Sequence, residues 1–128
     1  MSGPRDRSER GRLGEAAAEA FLVARGFRVL ARNHRTRRGE VDLVCQDGAV
    51  LVFVEVRARE VGSPVPPEET VDRRKARRVV SAATDWAVKN GGLEREIRFD
   101  VVAVDLSDEG DPVIRHYPNA FDGDGEAP

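Results

Sequence analysis

The segment from Gly39 to Arg59 reads GEVDLVCQDGAVLVFVEVRAR, and no other stretch constrains the fold as strongly. Two apolar runs flank an Asp47-Gly48 pair, a strong short-range signal for a β-hairpin. With Asp47 and Gly48 as the loop residues, Gln46 pairs with Ala49. Asp42 then lies opposite Phe53, and Glu40 opposite Glu55. Side chains alternate between faces along a strand, and opposed residues share a face. Glu40, Asp42, Glu55 and Arg57 are therefore expected on one face. Carboxylates opposed across a sheet repel. Three of them on one patch call for a cation, and an all-oxygen site suits Mg²⁺ or Mn²⁺. The expected chemistry is a metal-dependent site acting on phosphate esters.

The second run is apolar on both faces. Val50, Val52, Val54 and Val56 alternate with Leu51 and Phe53, which suits an inner strand of a sheet. Upstream, Leu13, Ala16, Ala17, Ala20, Phe21 and Ala24 recur at helical spacing, and Gly26 is placed to stop that helix. Phe27 to Asn33 reads as a strand and His34 to Gly39 as a basic loop. Beyond the hairpin, Pro66-Pro67 breaks the chain. Glu68 to Lys89 reads as a helix, with Val71, Val79, Ala82, Ala83, Trp86 and Ala87 on its apolar face. Ile97 to Val104 and Val113 to Tyr117 read as strands. The order implies one α/β domain, a central mixed β-sheet flanked by helices. The second helix would cross over to bring the Ile97 strand in parallel, right-handed by rule. Residues 12–121 form the domain. Residues 1–11 read as a flexible basic arm and 122–128 as a disordered acidic tail.

A chain of 128 residues is long enough to bury a core without disulfides. Its single cysteine, Cys45, shares a strand face with Val41 and Leu43 and reads as a buried thiol. Two histidines and one cysteine make a zinc site improbable. Neither a long apolar run nor a signal-peptide pattern is visible, so no membrane and a cytoplasmic setting are expected. The net charge of −2 hides an asymmetry. Residues 1–38 carry ten Arg against four acids, whereas residues 105–128 carry one Arg against seven. Such a basic region, with RRKARR at 73–78, points to a polyanionic partner.

The spaced blocks GRLGEAAAEAFLVARGF, RNHRTRRGEVDLV, LVFVEVRAR, the Lys75/Arg78 helix, RFDVVAV and HYPNAF together resemble the YraN family. These are small, largely uncharacterised bacterial proteins related to archaeal Holliday-junction resolvases. The resemblance spans roughly residues 12–121 and implies a restriction-endonuclease-like fold. It further implies a metal held by Asp42, Glu55 and the Val56 carbonyl, with Glu15 completing the shell or holding a water and Glu40 outside it. Lys75 and Arg78 match basic positions expected to contact phosphate. The family's Glu-x-Lys reads Glu55-Val56-Arg57 here, and Arg57 cannot surrender a proton as lysine can. Arg57 can still stabilise charge on phosphorus.

The function implied is an endonuclease dependent on Mg²⁺ or Mn²⁺, hydrolysing phosphodiesters of structured or branched DNA. Glu15, Asp42, Glu55 and Arg57 would be catalytic. Arg35, Arg37 and Arg38 would track the nucleic-acid backbone electrostatically. A two-fold homodimer would suit symmetric cutting. The alternative is a catalytically inactive nucleic-acid-binding module of the same fold. Blander readings stand beside these. Glu55 or Asp42 could form a buried ion pair with Arg57, Glu40 could pair with Arg38, and Glu15 could be a solvated acid near a helix start. RRKARR could be a solvated face, His34 reads as a surface group of the basic loop, and His116 could be structural.

Overall fold

The computed structural model of the chain describes residues 5–62 and 72–128. Its elements are α1 (Arg7–Ala24), β1 (Arg28–Arg35), β2 (Glu40–Asp47), β3 (Val50–Glu60), α2 (Arg73–Lys89), β4 (Ile97–Leu106) and β5 (Val113–Phe121). The five strands form one mixed sheet in the order β1-β2-β3-β4-β5. Neighbours are antiparallel except β3 and β4, which run parallel on either side of the α2 connection.

Alternation along the central strand builds the core. Leu51 and Phe53 pack with Val44, Phe99, Val101 and the Ala76, Val79, Ala83 face of α2. Val52 and Val54 pack with Leu43, Cys45, Val102, Val104 and the Ala18, Leu22 face of α1. One helix thus covers each face, and β3 is the inner strand that its two apolar sides predict. Trp86 is partly buried and packs against this core, edge-on to Phe53 at 6.1 Å between ring centres. Cys45 is fully buried with Leu43, whereas Val41 packs with the α2 cluster instead.

The hairpin register differs from expectation by two residues. Asp47 pairs with Val50, Gln46 with Leu51 and Leu43 with Val54, so Gly48 and Ala49 are the loop. Gly48 has φ +59°, and a two-residue hairpin with glycine at its first loop position leaves Asp47 in the strand. A slip of two preserves every face, so the shared face stands. What changes is the partner: continuing the register one step sets Asp42 against Glu55 rather than Phe53.

Other boundaries move as well. The first helix starts at Arg7, inside the stretch read as an arm, because Asp6 caps it by accepting the Glu9 N–H at 2.7 Å. β1 runs through His34 and Arg35, and β5 through Phe121. The second helix starts at Arg73, with Asp72 accepting the Lys75 N–H. Residues 63–71, including Pro66-Pro67, Glu68 and Val71, lie outside the described residues. The segment read as a disordered acidic tail forms a turn about Asp122, whose carboxylate accepts the Asp124 and Glu126 N–H groups. Arg73 pairs with Glu126 at 2.6 Å, which ties that turn to α2.

Candidate functional site

The β2–β3 ladder ends at Leu43–Val54. Leu51 donates its N–H to Glu96, beside β4, so the odd-numbered amides of β3 face β4 and the even-numbered ones face β2. The Val56 N–H therefore points at β2. Its acceptor there is the Asp42 side chain, at 2.7 Å. A carboxylate oxygen takes the place of a ladder carbonyl, and the two strands fork. The N–H and C=O of one strand residue point to the same edge, so the Val56 carbonyl faces the fork too.

A cleft of about 320 Å³ opens at this fork, lined by Glu15, Glu40, Asp42, Glu55, Val56, Arg57, Lys75, Arg78 and Val79. Two glycines let the helices close on it. A Cβ on Gly14 would sit 2.5 Å from the Ala58 Cβ, and one on Gly39 would overlap the Arg78 backbone. Gly14 thus allows α1 to lie against β3, which delivers Glu15. Gly39 allows α2 to lie against the start of β2, which delivers Lys75 and Arg78.

Asp42 is 9% exposed, and the Glu55 side chain 12%. Burial, reinforced by Glu55, Glu15 and Glu40, pushes the Asp42 carboxyl well above the ordinary carboxylate range, against the Val56 hydrogen bond. Burial also raises Glu55, although Arg57, a hydrogen bond with Asp42, and Lys75 oppose it. Burial raises Glu15, offset in part by Asn33. Asn33 adopts a left-handed φ of +51°. On the other side of the balance, burial and the Arg57 charge lower Lys75. The cleft therefore gathers acids that resist ionising beside a cation that resists protonation. Such shifts cluster at functional sites.

The residues named from the sequence divide in three ways. Glu15, Asp42, Glu55, Val56, Arg57, Lys75 and Arg78 all line the one cleft, and Glu15 is half-buried there rather than solvated. The Glu55–Arg57 pair is formed at 3.3 Å, so the ion-pair reading and the shared acidic site coexist. Arg35 pairs with Glu40 at 3.1 Å, in place of the Arg38 pairing considered from the sequence. Arg37 and Arg38 are exposed on the β1–β2 loop, outside the cleft lining. Among the described residues, no three His, Cys, Asp or Glu side chains are grouped to hold a metal. The donor set on offer is two carboxylates and a carbonyl.

Both histidines have carboxylate partners. His34 meets Asp85 at 2.8 Å, and His116 meets Asp100 at 2.7 Å. Asp100 is fully buried and also takes Arg98 at 2.8 and 2.9 Å and the Asn119 N–H at 3.0 Å. The sequence reading missed this network. Its signal was Asp100 interrupting the apolar RFDVVAV strand, the same signal that marked Asp42. A larger cavity of about 600 Å³ lies between the start of α2, β5 and the C-terminal residues. Its acids are already engaged, Asp72 as a helix cap and Glu126 with Arg73, so it lacks the converging charges of the fork.

No helix among the described residues is long and apolar enough to cross a membrane. The sequence profile of the uncharacterised protein family UPF0102 matches residues 14–104, from the glycine beneath Glu15 to the last core valine of β4. A UPF0102 protein of Anaeromyxobacter dehalogenans is 68% identical over 115 residues, covering 90% of this chain and 85% of its own. One from Anaeromyxobacter sp. strain Fw109-5 is 61% identical, covering 94% and 90%. One from Trichlorobacter lovleyi is 44% identical over 88% and 89%. The chain belongs to the UPF0102 family, the family also called YraN.

Proposed function

We propose that the fork is the active site of a metal-dependent endonuclease acting on structured DNA, on a restriction-endonuclease-like scaffold. The observation that carries this reading is the contact between two buried carboxyls, Asp42 and Glu55, both raised in pKa and ringed by Arg57, Lys75 and Arg78. Acids held together inside cationic walls suit a cation at the centre and an anion around it.

The donor chemistry fits Mg²⁺ or Mn²⁺, since Asp42, Glu55 and the Val56 carbonyl offer oxygen alone. Bound there, such an ion supplies charge that polarises a phosphate oxygen and lowers the pKa of water. The protein's own groups do the rest. Glu15, its proton affinity raised, orients the attacking water and accepts its proton. Arg57, Lys75 and Arg78 offset negative charge developing on phosphorus. Glu40 steadies the acidic side from outside the ligand set. The exposed Arg35, Arg37 and Arg38 add positive charge that favours a polyanion. Two copies related by a two-fold axis would cut both strands of a branched substrate symmetrically.

A second reading draws on Arg57. Its bond to Glu55 compensates one acid without a metal, and its guanidinium cannot act as a base. On that reading the protein binds nucleic acid in the cytoplasm without cutting it. Labelled single-stranded, duplex, flap and four-way DNAs, incubated with Mg²⁺ or Mn²⁺, separate the two. Metal-dependent cutting that Glu55→Ala abolishes is the expected result. Salt-sensitive binding with no cutting would leave the binding module.

A further inference from the structure

A second pocket adjoins the cleft. It has a volume of about 240 Å³, and Arg7, Arg10, Glu15, Val56 and Arg57 line it. Glu15, Val56 and Arg57 line the acidic cleft as well, so the two spaces meet at these residues. Arg7 and Arg10 lie in the first turn and a half of α1. Helix N-termini favour acids and disfavour cations. Among the described residues, neither guanidinium has an ion-pair or hydrogen-bond partner, whereas Arg5 beside them is fully engaged. Arg5 holds Glu60 through two bonds of 2.8 and 2.7 Å and Asp108 through a third of 2.8 Å. These bonds pin the chain just before α1 to the end of β3 and to the loop after β4, so Arg7 and Arg10 are presented from a fixed base. Both Arg7 and Arg57 lie close enough to Lys75 to help lower its pKa. Arg7 and Arg10, without acids of their own among the described residues, stand beside Arg57, whose acid is Glu55, and are the counterpart of the clustered carboxyls next door.

We infer that Arg7 and Arg10, with Arg57, form a phosphate-binding subsite on the α1 side of the cleft. Resting on the nuclease reading, it takes the backbone phosphate next to the one at Asp42 and Glu55. Glu15 lies at the junction and separates the two phosphates. The subsite gives the cleft a direction, because the strand must run from α2 across the fork to the start of α1.

The test is DNA binding by fluorescence anisotropy across a range of NaCl, in a Glu55→Gln parent that leaves the DNA intact. Arg7→Ala/Arg10→Ala is compared with Arg25→Ala/Arg28→Ala, which removes equal charge at the opposite end of α1. The expected result is a salt dependence shallower by about 0.9 for the first pair, the loss of one phosphate contact, and an unchanged slope for the second. Equal slopes in both pairs would overturn the subsite and leave the cleft reading intact. A parent that binds no DNA would overturn the cleft reading and the backbone assignment together. Titration of the wild-type protein with inorganic phosphate, followed at the arginine Nε–H resonances, then judges the pocket without DNA. Saturable shifts at Arg7, Arg10 and Arg57 support it, and shifts at Arg7 and Arg10 no larger than those of Arg25 overturn it.

Discussion

The Asp42 carboxylate accepts the Val56 N–H at 2.7 Å where the β2–β3 ladder ends. One side chain thereby satisfies the backbone at the fork and also lines the cleft. Asp42→Ala would orphan a half-buried amide as well as remove a ligand, so Asp42→Asn is the cleaner probe. Asn keeps the amide's acceptor and loses the charge.

That charge has a pH consequence. Asp42, Glu55 and Glu15 are all raised above their ordinary values. The folded state therefore binds more protons than the unfolded chain, and stability falls as pH rises from the ordinary carboxylate range through the raised values. In chelator, the melting temperature is expected to decline across that window, and Mn²⁺ is expected to restore it on the alkaline side. Asp42→Asn should flatten the decline and the Mn²⁺ response together. A Mn²⁺ response unchanged in Asp42→Asn would remove this cleft from consideration as the metal site.

Gly14 and Ala58 form a tight seam between α1 and β3. Gly14→Ala is expected to destabilise by about 1–3 kcal/mol through overpacking, measured by urea unfolding. Ala58→Gly in the same chain removes the opposing methyl and should recover part of the loss. If the double variant simply sums the two single effects, the seam is not the cause.

Asp100 lies on the opposite side of the stability ledger. Burial would raise it, but hydrogen bonds from His116, Arg98 and the Asn119 amide hold it below the ordinary range. Its contribution is present above the unfolded value and is lost as pH falls. Removing one member of such a buried network costs about 3–5 kcal/mol. Asp100→Ala should therefore unfold far more readily in urea than Asp100→Asn, while retaining whatever DNA affinity the folded fraction has.

Cys45 is buried to 0% exposure, and burial pushes its thiol up to about 12. A thiol held neutral and covered is unreactive. Aromatic disulfide reagents should label it only at the rate of unfolding, with the labelling rate rising in urea. Fast labelling in native buffer would show that the core around Leu43 and Val52 opens locally.

Much of the fold and part of the site were legible in the residues themselves. Two apolar faces on β3 require cover on both sides, which places it inside the sheet. The period of two put Asp42, Glu55 and Arg57 on one face, and that conclusion survived a register error of two because parity did not change. Burial could be anticipated for Asp42 because an acid inside an apolar strand needs compensation. Asp6 followed by Glu9, the D-x-x-E pattern of a capped helix start, could have shown that α1 begins at Arg7 and that its first arginines are fixed.

Packing between distant segments decided the rest. Whether Asp42 faces Phe53 or Glu55 depends on which residues the turn consumes, a choice that Gly48 settles only once its φ is known. The strands fork because Asp42 competes successfully for the Val56 amide, and hydropathy does not record that competition. Glu15, Lys75 and Arg78 reach the fork because Gly14 and Gly39 let two helices approach backbone closely. Periodicity reports which face of an element is apolar. It does not report how near another element can come, and at this cleft that distance determines which charges meet.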